Sequence, residues 1–171
     1  TDPIVYALIG IVEAAASDES VRVIHLAGRG DHFCSGFDLG ERVNGPANPR
    51  VGSIHRRMHS HVNRLIPVML STQVPIVCTA RGWVIGLGLD LLLAADFAIV
   101  ADDARLWAPF TTFGFTPDSG ASWLIPRLAG VARAKEMLML GEKVSGADAA
   151  AWGMVHRSTP ADEVDAVSDE L

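Results

Sequence analysis

The chain has 171 residues, 49% of them hydrophobic and 20% charged, a globular balance that argues against disorder and is long enough to bury a core. Its formal net charge of −6 argues against a broad nucleic-acid surface, which needs Lys and Arg in excess, although a few basic residues or a helix N-terminus can still hold a phosphate. The 2 cysteines, Cys34 and Cys78, have no metal-ligand spacing and build no disulfide framework, which fits a reducing cytoplasm. No apolar run reaches the roughly 18–20 residues of a membrane span, and nothing reads as a signal peptide.

Residues 4–16 carry apolar side chains at helical spacing and predict an amphipathic helix. The run Ser17-Asp18-Glu19-Ser20 breaks it, and residues 21–28, rich in β-branched types, read as a strand. Gly28 to Asp31 is turn chemistry, and the Arg-Gly-Asp tripeptide inside it is read as a chance match. Residues 33–43 leave the turn, and 45–52 are loop-like. From Ile54 to Leu70, the positions Ile54, Met58, Val62, Leu65, Ile66 and Met69 make one face of a long helix. His55, His59 and His61, with Arg56, Arg57 and Arg64, crowd that helix. The i, i+4 pair His55 and His59 could bind a metal. No acid stands nearby, so a solvated face is the default, phosphate contact or a subunit interface the alternative, and no metal is expected.

Residues 75–82 read as a buried strand entered through Pro75, 86–97 as a helix begun on glycines, and 97–102 as a further strand. Residues 114–130 form a turn opening another helix, and Ser145 with Asp148 makes a capping box before an Ala-rich helix that stops at Gly153. Alternating strands and helices predict one α/β domain over residues 1–171, with parallel pairing and right-handed crossovers.

Two glycine-containing segments each follow a strand: Phe33-Cys34-Ser35-Gly36-Phe37-Asp38-Leu39 and Gly82-Trp83-Val84-Ile85-Gly86-Leu87-Gly88-Leu89-Asp90. Glycine there frees the backbone to turn and lets a ligand approach the main chain, and the helix after the second segment adds its positive N-terminal dipole. Two N–H donors brought together in this way make an oxyanion hole. Taken singly, each segment is read as well by tight packing of helix on strand, and the third glycine of a dinucleotide fingerprint is missing.

The order and spacing of the pieces are more specific. The chain resembles the crotonase (enoyl-CoA hydratase/isomerase) family over residues 21–39, 75–106 and 113–155, in the order usual for that family. The resemblance implies a crotonase-like spiral of ββα units, here expected without the family's N-terminal strands and C-terminal helices, and thus an incomplete domain. It implies an acyl-CoA small-molecule substrate, with coenzyme A present as part of the thioester, no permanently bound cofactor, and a homotrimer or hexamer. By position in the motifs, the donors to the thioester oxygen are the N–H groups of Phe37 and Leu87. The reaction is then set by the acids. Hydratases of the family use two glutamates; the matching positions here hold Asp90 and Phe110, and a phenylalanine transfers no proton.

Asp118, in Thr116-Pro117-Asp118-Ser119-Gly120, supplies a replacement, because some isomerases of the family resemble this chain in placing an acid there. One carboxylate beside the α and γ carbons can carry a proton between them and shift a double bond without water. An apolar wall would make that carboxylate more basic, and Trp107, Phe110, Phe113 and Phe115 are its candidates. The favoured expectation is therefore double-bond isomerisation. Weak hydratase activity through Asp90 and a non-catalytic acyl-CoA binder are the alternatives, and a nucleophilic Asp118, as in the family's aryl-CoA dehalogenases, ranks lower. From pattern alone, Asp118 could also be a helix cap and Asp90 a partner of a helix dipole. Asp38 and Asp96 are read as structural and Cys34 as a small packed residue.

Overall fold

The computed structural model of the chain describes residues 2–38, 50, 52 and 62–171. Helix α1 (Asp2–Ser17) opens the chain where apolar spacing predicts it. Val5, Ile9 and Val12 fall on one face and are buried. That face packs on helix α2 (Val62–Ser71), whose Leu65, Ile66 and Met69 join the same core. At the surface Arg64 pairs with Glu13 across the two helices. Ile54, His55, Arg56, Arg57, Met58, His59 and His61 lie outside the described residues.

Strands β1 (Ile24–Ala27), β2 (Ile76–Ala80), β4 (Phe97–Ala101) and β7 (Arg157–Thr159) form a four-stranded, wholly parallel sheet in that order. All five residues of β2 are buried, as a strand covered on both faces must be. A second, three-stranded sheet has the order β3 (Trp83–Ile85), β5 (Arg105–Trp107) and β6 (Lys143–Ser145). The expected parallel pairing holds except between β5 and β6, which run antiparallel. The N-terminal strand is shorter than its β-branched run: pairing begins at Ile24, and Val21 to Val23 stay outside it.

The path of the chain repeats. From β2 in the larger sheet it steps to β3 in the smaller one and returns as helix α3 (Leu87–Leu93). From β4 it steps to β5, passes a 3₁₀ turn (Thr111–Phe113), and returns as helix α4 (Ala121–Leu128). This is the ββα spiral. Helix α5 (Gly130–Lys135) runs on into a π-helical turn (Glu136–Leu140), followed by β6, helix α6 (Gly146–Ala151), β7 and helix α7 (Val164–Asp169).

Two sequence expectations resolve as structural detail. Ser145 Oγ accepts the Asp148 N–H at 3.0 Å and lies 2.6 Å from Asp148 Oδ2, capping α6. Asp96 Oδ2 accepts the Ile76 N–H at 2.8 Å, tying the end of α3 to the start of β2. Both cysteines are free; Cys78 is buried, and burial, with Cys34 adding, pushes its thiol well above the usual range.

Candidate active site

The site is built where the two glycine segments meet. Cys34 pairs with Val84 as a single parallel bridge at the edge of β3. Its N–H donates to the Trp83 carbonyl at 3.2 Å, and its own carbonyl accepts the Ile85 N–H at 2.9 Å. Gly36 then turns with φ +80°, and a Cβ there would lie 2.7 Å from the Ile85 carbonyl oxygen. Across the junction, a Cβ on Gly88 would lie 2.6 Å from Cys34 Cβ and 2.9 Å from its carbonyl oxygen. Two backbones in such contact leave room only for glycine. Cys34 is thus the packed wall of this junction, with its Sγ 3.4 Å from the Gly36 N–H.

Phe37 and Leu87 follow this contact on either side, both half-buried. Leu87 is the first residue of α3, where a helix leaves its N–H groups without intrahelical acceptors. Among the described residues neither the Phe37 nor the Leu87 N–H donates to a backbone carbonyl outside helices and strands. The geometry brings their two segments together.

Three residues into α3 stands Asp90. It has no solvent exposure, and neither carboxylate oxygen has a hydrogen-bond partner among the described residues. A buried acid without donors favours its neutral form. Burial, and then the negative charge of Asp118, hold the Asp90 carboxyl well above the usual carboxylate range. A mere complement to the helix dipole would not need this enclosure.

Asp118 is that second charge. It is exposed, in the turn before α4, a helix that packs on α3. The N-cap of α4 is Gly120, with no side-chain cap, so capping is not what Asp118 does there. One of its oxygens, Oδ1, accepts a hydrogen bond from Ser119 Oγ at 3.0 Å. The structure therefore places two carboxyl groups within electrostatic reach, one enclosed and one open.

The four aromatics split between two surroundings. Phe110 is half-buried against the core, just before the 3₁₀ turn, and its carbonyl accepts the Phe115 N–H at 2.8 Å. Trp107 turns its ring toward Trp83 and Phe113, with centroids 6.2 and 6.3 Å away, and its Nε1 donates to the Gly141 carbonyl at 2.9 Å. Lys143 Nζ lies 4.9 Å from the Trp107 centroid and 5.5 Å from that of Trp83. Phe113 and Phe115 are exposed. Sequence reasoning missed Trp83, Lys143 and Ser119: the first two meet Trp107 only through strand register, and nothing in the letters marks Ser119 for a left-handed turn. Among the described residues no group of three or more His, Cys, Asp or Glu could hold a metal ion, and no helix is long and apolar enough to cross a membrane.

A spiral of ββα units around such a junction is the crotonase fold. The solved enoyl-CoA hydratase of Bacillus anthracis superposes on 99% of this chain with a TM-score of 0.89 and 28% identity, the match covering 64% of that protein. The family model described as enoyl-CoA hydratase/isomerase matches residues 2–169, and the chain belongs to that family. It is 34% identical over 138 residues to the 1,2-epoxyphenylacetyl-CoA isomerase of Escherichia coli strain K12, covering 81% of this chain and 52% of the relative. It is 33% identical over 141 residues to a 4-chlorobenzoyl coenzyme A dehalogenase of an Arthrobacter species, covering 82% and 51%. The chain thus spans about half the length of the curated relatives it matches.

Proposed function

We propose that the protein isomerises a double bond in an acyl-CoA thioester by proton transfer through an enolate. The Asp118 carboxylate takes a proton from the α carbon of a 3-enoyl thioester. The electron pair moves onto the thioester oxygen, where the Phe37 and Leu87 N–H groups hold the negative charge. The same proton returns at the γ carbon, the double bond moves into conjugation, and no water is consumed. Donors aimed at an oxyanion in this way contribute roughly 3–4 kcal/mol each.

The observation that carries the reading is the pairing of an open Asp118 with a buried Asp90, unpartnered among the described residues, beside the glycine junction. Phe110, in the place of the second hydratase glutamate, supports isomerisation over hydration, because hydration of this kind needs two carboxyl groups to share the work. The name of the Escherichia coli relative, an acyl-CoA isomerase, supports the same choice. A trimer or hexamer and a cytoplasmic setting belong to this proposal as expectations from the family and from the cysteine content.

The test is to supply a 3-enoyl-CoA and follow growth of the conjugated thioester chromophore. Asp118→Asn is expected to abolish it, and a fully active variant would remove the base. The apolar Phe110 also favours a second reading, an acyl-CoA binder without chemistry. Exchange of the substrate α proton in deuterated water eliminates the binder; affinity without exchange establishes it.

A further inference from the structure

Ser119 is the one non-glycine residue with positive φ among the described residues, at +54°. A side chain pays for that conformation in contact between its Cβ and the backbone, so only glycine, and occasionally Asn or Asp, adopts it routinely. Ser119 is moreover 7% exposed, and a buried hydroxyl needs a partner. The turn around it is seated on the core: a Cβ on Gly120 would lie 3.3 Å from Ile66 Cγ2. Strain of this kind persists where the surroundings over-determine it, and it clusters at working sites.

What the conformation achieves is visible in the hydrogen bond. The left-handed backbone turns the Ser119 hydroxyl back along the chain, so that Oγ donates to Oδ1 of the preceding residue, Asp118, at 3.0 Å. A hydroxyl has one proton to give, so one carboxylate oxygen is held and the other is left open. An exposed aspartate would otherwise rotate freely about its last torsion. A proton carrier that serves two carbons in turn loses rate with every misaligned rotamer.

We infer that Ser119 is a positioning residue for Asp118, fixing Oδ1 so that Oδ2 faces the reacting carbons. The inference rests on Asp118 being the proton carrier, and its test separates the two. Ser119→Gly and Ser119→Ala both remove the hydroxyl, but only Ser119→Gly removes the Cβ and with it the strain. In the 3-enoyl-CoA assay both are expected to lose kcat by about 10- to 100-fold with KM nearly unchanged, because the bond orients the base and does not bind the thioester. Melting separates them: Ser119→Gly, freed of strain, gains about 2–4 °C, whereas Ser119→Ala gains nothing. Should Ser119→Ala fail to fold, Ser119→Gly carries the test alone.

Loss of kcat in Ser119→Gly despite its higher melting temperature supports the positioning role. Wild-type kcat in Ser119→Gly overturns it, since the hydroxyl is then dispensable. If Asp118→Asn is inactive while Ser119→Gly is fully active, the positioning role falls and the reading of Asp118 stands. If Asp118→Asn is fully active, both fall together.

Discussion

Asp90 and Asp118 carry the same functional group into opposite surroundings. Asp90 stands in a helix whose residues from Gly88 to Leu93 are all buried, and among the described residues no hydrogen bond reaches its oxygens. Asp118 stands in an open turn with a hydroxyl on one oxygen. The contrast teaches that side-chain identity does not assign a role; the dielectric and the donors around it do. An enclosed, proton-retaining acid and an open one, side by side, form an unequal pair, and each difference between them can be broken separately.

The largest expected effect is on the open partner. Asp118→Asn keeps the shape of the turn and removes the base, so kcat for double-bond migration is expected to fall by about 10²–10⁴-fold. The melting temperature should move little, because Asp118 is exposed and caps nothing. A large drop in melting temperature would mean that the residue holds the turn.

Next comes the glycine junction from which the helix of Asp90 starts. Gly88→Ala places a Cβ 2.6 Å from Cys34 Cβ, so the two backbones must part. The overpacking is expected to cost about 1–3 kcal/mol in denaturant unfolding. Parting them also misaims the Phe37 and Leu87 N–H groups, and kcat is expected to fall by roughly 10²–10³-fold, the scale of one lost oxyanion donor. Unimpaired turnover in a folded Gly88→Ala protein would show that the contact is not needed for chemistry.

How far these features were legible in the letters follows from the length scale of each. The apolar stripes of α1 and α2 and the β-branched run of β2 announce themselves, because their period repeats several times. Strands β3, β5, β6 and β7 span three residues each, too short for alternation to show: β3 lies inside a glycine segment, β6 ends on the Ser145 cap, and β5 and β7 leave no periodic signal. The positions of Asp90 and Asp118 were readable through the family resemblance. The enclosure of Asp90 was not, since it depends on how β2, β3 and α4 pack against α3. The left-handed Ser119 was illegible for another reason: serine is a poor signal for positive φ, and only the finished turn imposes it.

The enclosed partner is expected to answer through stability. Asp90→Leu replaces a buried carboxyl, unpartnered among the described residues, with an apolar side chain of the same branching but larger methyl groups. The gain from removing the carboxyl, partly offset by overpacking, is expected to leave the fold as stable or up to about 2 kcal/mol more stable in urea unfolding. The pH dependence gives the finer test. The Asp90 carboxyl is raised above its ordinary value of 3.8 in the folded chain, so the folded state binds more protons than the unfolded chain between that value and the raised one. Its contribution is therefore fully present below the unfolded value and is lost as pH rises through the folded one. Asp90→Asn removes a titrating group and should flatten that part of the stability–pH curve. An unchanged slope would mean that water or a donor reaches the carboxyl.

The smallest effect couples the two acids. Burial is the main cause of the Asp90 shift and the charge of Asp118 the lesser one, so Asp118→Asn withdraws the lesser cause alone. The folded value of Asp90 then moves down toward its ordinary range without reaching it. The stability lost on raising the pH should shrink in Asp118→Asn by a few tenths of a kcal/mol, on the scale of a partly screened pair, and should persist because burial persists. Lowering the ionic strength should enlarge the difference between wild type and variant, since one of the two charges faces solvent. Stability–pH curves that coincide at every salt concentration would mean that the two carboxyls do not sense each other, and the unequal pair would reduce to two independent acids.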